Sequence, residues 1–302
     1  MRRTLTVLPL LFLAVACSGI TGRLLTPTPT AFVFPTLVTP QIDSLTATQL
    51  QNAEYTLTAF DNASRAFRLS DGAYKSGAPD FADIRMLEQI GFGDLNRDGV
   101  PDAAVLLAEN FGGSGVFVWL AAVLNENGKP YHVASSMIDD RAQINALEIR
   151  DGNIFLDAVV HGPIDPGCCP NFPVTRTFRL MSSLLVLVNA TSETPNGLPR
   201  VIAIDSPRAG ESVSGALTLN GRVTIAPFEN TLRLRVYNEE GNELYIAPIT
   251  LTVPELGAAA DFSVTLDLTI FPPGRITIEI ADISAADGSV LALASVEVVV
   301  VR

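Results

Sequence analysis

The chain has 302 residues, 48% of them hydrophobic, which excludes a disordered polypeptide and leaves room for two domains of ordinary size. Its 20 Lys and Arg stand against 32 Asp and Glu, a net charge of −12, and both halves are acidic with no basic stripe. Nucleic-acid binding rests on Lys and Arg neutralising phosphates, so the composition excludes nucleic acid as a partner and gives no electrostatic grip on an anionic bilayer.

The chain opens with a basic pair, Arg2 and Arg3, then a short apolar run and small residues, the layout of a secretory leader. The run is shorter than the roughly 20 apolar residues that a spanning helix needs. Ala14-Val15-Ala16-Cys17 resembles the lipobox of bacterial lipoproteins. The resemblance implies removal of residues 1–16 and diacylation of Cys17, which would hold the protein at the extracytoplasmic face of the cell membrane through its buried acyl methylenes. An ordinary leader with an incidental cysteine is the alternative. Residues 17–41, with repeated Thr-Pro, predict an extended, semi-rigid tether.

The first folded domain is expected over 42–190, as a β-meander with little helix. Thr46 to Asn52 offers one or two helical turns, with Ser44 as the cap. Strands are expected at Glu54–Phe60, Arg65–Leu69, Ile84–Phe92, Ala103–Ala108 and Val116–Leu124. More follow at His132–Ile138, Gln143–Ile149, Ile154–Val160 and Val174–Val188. Asn127-Gly128 and Asp151-Gly152 are hairpin dipeptides.

Residues 191–200 read as a linker. Beyond them, seven strand candidates at short intervals predict a β-sandwich over 201–302: Val201–Asp205, Ala216–Ile225, Thr231–Asn238, Glu243–Val253, Asp261–Leu268, Arg275–Ile283 and Val290–Val301. The last is apolar on both faces at its end, which places it between neighbours and not on an edge.

This domain resembles the immunoglobulin-like domain of bacterial spore-germination proteins. The resemblance is carried by Ile204-Asp205-Ser206-Pro207-Arg208-Ala209-Gly210, Val213-Ser214-Gly215, Gly221, Phe228-Glu229-Asn230, Glu240-Gly241 and Ala286-Asp287-Gly288-Ser289. It implies a small all-β envelope module with no catalytic residues to carry over. The domain lacks cysteine and tryptophan, so aliphatic packing must hold it together. The first domain resembles uncharacterised domains of envelope lipoproteins through Asn52-Ala53-Glu54-Tyr55, Gly93-Asp94-Leu95-Asn96, Gly112-Gly113-Ser114-Gly115, Gly162-Pro163, Asp165-Pro166 and Cys168-Cys169-Pro170. That resemblance implies location and no activity.

One stretch concentrates ligand-type side chains. Asp94, Asn96, Asp98, Gly99 and Asp102 follow the alternation of a calcium loop, with the Val100 carbonyl as a further oxygen. Val105 stands where an EF-hand has its bidentate Glu, and no flanking helices are expected. A polar turn capped by Asx hydrogen bonds is the competing reading. Gly112 to Gly115 lacks the Lys and Ser or Thr of a phosphate loop and reads as a glycine hairpin. Cys168 and Cys169 admit a vicinal disulfide, free thiols, bridges between chains or thiolate ligands. His161, near Asp165 and Cys168, fits no common zinc spacing. The sequence therefore predicts a non-enzymatic lipoprotein that binds an envelope or extracellular ligand. A calcium-dependent binding module and a hydrolase with a site around His161, Asp165 and Cys168 are the alternatives.

Overall fold

Ala103 to Leu107 and Val118 to Val123 carry no charged side chain and, apart from the indole N–H of Trp119, no polar one, and every one of these residues is buried on whichever face it presents. A strand covered on both faces belongs in the middle layer of a stack, and the rest of the amino-terminal half supplies the two covers. The computed structural model describes residues 44–58 and 64–302. The leader, Cys17 and the tether at 17–41 lie outside the described residues.

A single helical turn, α1 (Ala47–Leu50), opens the described chain. Its cap is Thr46 and not Ser44: the Thr46 hydroxyl accepts from Gln49 N at 3.2 Å while Gln49 Oε1 accepts from Thr46 N at 2.8 Å. Strands β1 (Glu54–Thr58) and β2 (Ser64–Arg68) form an antiparallel hairpin. Then β3 (Ala73–Lys75), β4 (Asp83–Gly93), β5 (Asp102–Asn110), β6 (Phe117–Glu126) and β7 (Lys129–Asp140) make a five-stranded meander in chain order. A second meander follows: β8 (Gln143–Arg150), β9 (Asn153–Val160), β10 (Phe172–Met181) and β11 (Leu184–Glu193).

Alternation does the layering. From β5 and β6, Val105, Leu107, Trp119 and Val123 pack on Leu50, Tyr55, Leu57 and Phe67 of the helical turn and hairpin. Their neighbours Leu106, Val118 and Leu120 pack the opposite way, on Ile154, Leu156, Val174 and Phe178 of the second meander. Each fully buried leucine or valine contributes about 1.5–3 kcal/mol.

The stretch expected as one strand, Val174–Val188, is two. Ser182 turns the chain at φ +51° between β10 and β11, and serine gives no turn signal of the Asn-Gly kind that marks Asn127-Gly128 and Asp151-Gly152. The expected linker is also different in kind. Residues 191–193 belong to β11, and β12 (Pro199–Arg200) folds back to pair with it, so 191–200 is a hairpin and not a spacer.

The remaining strands are β13 (Ile202–Ser206), β14 (Glu211–Val213), β15 (Ala216–Val223), β16 (Thr231–Asn238), β17 (Glu243–Thr250), β18 (Ala260–Asp267), β19 (Gly274–Ile283) and β20 (Val290–Val300). They match the seven expected strands closely and add β14, which pairs in parallel with β20. Sheet β13-β15-β18 packs on β17-β16-β19-β20 around Leu219, Leu232, Leu234, Ile278, Ile280 and Val298. Gly221 in β15 is obligatory: a Cβ there would collide with the Ala203 carbonyl oxygen and the Phe262 ring.

The larger sheet does not end at the sandwich. As its apolar pattern required, β20 lies between neighbours, β19 on one side and β11 of the second meander on the other, giving one ten-stranded sheet. The β11–β20 ladder is short, Asn189 opposite Ala294 and Ala190 opposite Leu293. Side chains reinforce it. Ser192 Oγ donates to Leu291 O at 2.6 Å, Ser295 Oγ donates to Val188 O at 2.8 Å, and Arg200 meets Asp282 at 2.6 Å. The described residues accordingly form one compact unit.

Candidate functional site

The Asp-rich loop joins β4 to β5 and folds around its own carboxylates. Asp94 Oδ1 accepts from Arg97 N at 2.6 Å and Asp98 N at 3.2 Å, and its Oδ2 accepts from Gly99 N at 2.9 Å. Asp98 accepts from Val100 N at 2.7 Å and from Asn96 Nδ2 at 2.9 Å. Gly99 takes φ +85°, the left-handed bend that such a loop needs.

Asp102 parts company with the others. It is fully buried, and it ties the loop to β6 by accepting from Leu95 N and from Asn125 N, each at 2.8 Å. Burial pushes its carboxyl above the ordinary range, against the pull of those backbone donors. The structure thus gathers Asp94, Asn96 and Asp98 on the exposed turn and buries the Asp102 carboxylate, still within reach of the Asp98 charge and the Asn96 backbone N–H. Among the described residues no three His, Cys, Asp or Glu side chains converge as a metal site would require.

Of the residues of the hydrolase alternative, His161 stands near enough to Asp165 to help lower its carboxyl and keeps a buried Nε2 without a partner, while its Nδ1, the Asp165 carboxylate and the two thiols are engaged. His161 Nδ1 lies 2.9 Å from Asp139 Oδ2, and the His161 backbone N–H donates to the same oxygen. Asp165 accepts from Gly162 N at 2.8 Å and Asn171 N at 2.9 Å, which holds its carboxyl below the usual carboxylate range. Cys168 is bonded to Cys169 with their Cα atoms 3.8 Å apart, so no free thiol stands beside the histidine. The hollow in this region is lined by Pro163, Ile164, Asp165 and Phe172, and neither His161 nor Cys168 reaches it.

The glycine loop after β5 is closed by one side chain. Asn110 Nδ2 donates to Gly113 O and Gly115 O, and its Oδ1 accepts from Gly112 N. One amide thus satisfies a backbone N–H and two carbonyls and closes the loop as a glycine turn.

Sequence reasoning missed the most unusual group in the molecule. Glu109, near the end of β5, is only 2% exposed on a face where Val105 and Leu107 are fully buried. Burial pushes its carboxyl above the ordinary range, against the pull of the Arg65 charge and of Trp119. The Trp119 Nε1–H is directed toward that carboxyl but completes no hydrogen bond. Glu109 floors a cavity of about 830 Å³ between β2, the 76–80 loop and the end of β5, with Arg65, Tyr74 and Phe111 in its walls. The only signal in the sequence was an acid at the end of an apolar run, A-A-V-L-L-A-E.

Together these features define a nearly all-β architecture, a layered meander half fused to an immunoglobulin-like sandwich. The model of the immunoglobulin-like domain of bacterial spore germination matches residues 201–289, from just before β13 to just before β20. An immunoglobulin-like domain is a structural or binding module. Among curated proteins none matches the chain.

Proposed function

We propose that the protein is a lipid-tethered, non-enzymatic envelope protein that stands on the extracytoplasmic face of the membrane and presents its meander half to an envelope or extracellular ligand. One observation carries the binding reading: the cavity of about 830 Å³ at Glu109 lies apart from His161, Asp165 and Cys168, and the hollow at Asp165 is lined by neither His161 nor Cys168. The lipobox-like Ala14-Val15-Ala16-Cys17 supports the tether. Among the described residues no helix is long and apolar enough to cross a membrane.

The test is metabolic labelling with a fatty-acid analogue, followed by membrane fractionation, of the natural chain and of Cys17→Ser. Label and membrane retention in the first, both lost in the second, are the expected results. A chain recovered unlabelled from the cytosol, or a Cys17→Ser variant that stays labelled, would overturn the tether.

A second reading keeps calcium as cofactor, on the observation that Asp94, Asn96 and Asp98 gather on one exposed turn. Loops of this kind in extracellular modules bind with dissociation constants of about 10⁻⁴–10⁻³ M. Calorimetric heat and a raised melting temperature on adding millimolar calcium would support it. The absence of both effects up to millimolar calcium would remove it.

A further inference from the structure

We propose that the cavity floored by Glu109 is a binding site for a neutral, polyhydroxylated ligand, a saccharide unit. The inference rests on the binding-module reading and names its ligand class.

The first argument is the cost of the floor. An acid buried in an apolar face is unfavourable unless its oxygens find hydrogen-bond partners. Here the Glu109 carboxyl, 2% exposed, shares the cavity lining with the Arg65 guanidinium and the Ser76 hydroxyl. Acceptors and donors set together in one lining match the paired donor and acceptor character of vicinal hydroxyls. The volume, about 830 Å³, falls in the range of small-ligand sites.

Charge selects the class. The acidic and basic side chains lining the cavity, apart from the neutral Tyr74 phenol, are Arg65, Asp80 and Glu109. With Glu109 ionised they sum to −1, and with it protonated to zero. An anion would meet the buried carboxyl, and a cation would have to sit within the field of Arg65, which is already felt at Glu109. A neutral ligand meets neither penalty. Arg65 is held in place by donating to Ser76 Oγ at 3.3 Å and to Asp80 O at 3.1 Å, so the polar wall is preorganised.

The walls supply the apolar complement. Tyr74 and the Phe111 ring, 40% exposed, offer flat surfaces against which the C–H face of a pyranose can lie.

The chain contains one tryptophan, and it is the one beside the floor. Its fluorescence is therefore a local reporter. The probes are methyl glucoside, methyl galactoside and N-acetylglucosamine, titrated to tens of millimolar, with methylamine and acetate as the charged comparisons. A saturable change with at least one sugar is expected, with apparent affinity falling about tenfold or more in Glu109→Gln. The Phe111→Ala variant, at a half-exposed position above the floor, should weaken binding while its melting temperature stays unchanged. It covers the case in which Glu109→Gln fails to fold. No saturable change with any of the three sugars overturns the proposal, as does saturation by methylamine or acetate alone, or equal binding by both variants. None of these results bears on the Cys17 labelling, so loss of the sugar site and loss of the tether are separable outcomes.

Discussion

The two halves of this molecule bury polar groups in different ways. In the sandwich, each buried acid of β19 has an arginine: Glu279 meets Arg233 at 3.0 Å and Asp282 meets Arg200 at 2.6 Å. The rest of that core is aliphatic apart from Phe262 and Phe271. In the meander half, Asp102 is held by backbone N–H groups and Glu109 forms no ion pair among the described residues, while both halves leave buried side-chain polar atoms without a partner, on Trp119, His132 and His161 in the one and on Asn230, Arg233 and Arg235 in the other. The difference teaches where to look for function. The buried acids of β19 are each paired with an arginine, and those of β5 are not. A buried acid without a paired cation, set beside a cavity, is the place to look for a ligand.

The largest effects should come from the packing that both halves share. Leu234→Ala in the sandwich and Leu120→Ala in the middle layer each remove a fully buried side chain and should cost about 2–5 kcal/mol in chemical denaturation. A markedly smaller loss for Leu120→Ala would mean that the middle layer is loosely packed, which would break the three-layer account.

Next comes Asp102. Removing its carboxylate strands the buried N–H groups of Leu95 and Asn125, so Asp102→Ala should cost about 3 kcal/mol, and Asp102→Asn, which keeps one acceptor, about half of that. Equal losses for the two variants would show that charge and not hydrogen bonding holds the loop.

The third effect is on pH dependence. Burial pulls the His132 imidazole down to about 4. Its folded pKa lies below the ordinary 6.5, so its contribution is fully present above pH 6.5 and is lost as pH falls through that value towards 4. The loss between pH 7 and pH 5 is about 2 kcal/mol. Asp102 and Glu109, with raised carboxyls, act in the opposite sense: their share is present at low pH and lost as pH rises through their folded values. Thermal melts from pH 7 to 5 should therefore fall steeply for the natural chain and much less for His132→Leu. Parallel slopes would contradict the burial of a neutral histidine under β1, where Nδ1 accepts from Thr56 N at 3.3 Å.

The smallest is Ser182→Gly. Serine at φ +51° pays a left-handed penalty that glycine escapes, partly offset by the greater freedom of glycine in the unfolded chain, so a gain of about 0.5 kcal/mol is expected. A loss would show that the Ser182 side chain makes a contact that matters.

Most of the strands were legible in the sequence, because alternation and Asn-Gly or Asp-Gly turns are local signals. The interior placement of β20 was legible too, from valines on both faces. The turn at Ser182 was not, since its left-handed backbone is imposed by the flanking strands pairing and not by its own chemistry. The hairpin at 191–200 looked like a spacer because Pro and Gly mark tight reversals and linkers alike. The Asp-rich loop was visible as a cluster, but the inward turn of Asp102 depends on Asn125, a residue of the neighbouring strand. The cavity was invisible for a similar reason. Arg65 and Glu109 lie far apart in sequence and share a wall only once the hairpin sits on the meander.

The central structural claim is that β11 and β20 fuse the two halves into one body. Differential scanning calorimetry of the chain tests it most directly. One endotherm is predicted, with calorimetric and van't Hoff enthalpies equal, and Leu234→Ala and Leu120→Ala should each move the whole transition. Two endotherms, with each substitution shifting only the one from its own half, would contradict it.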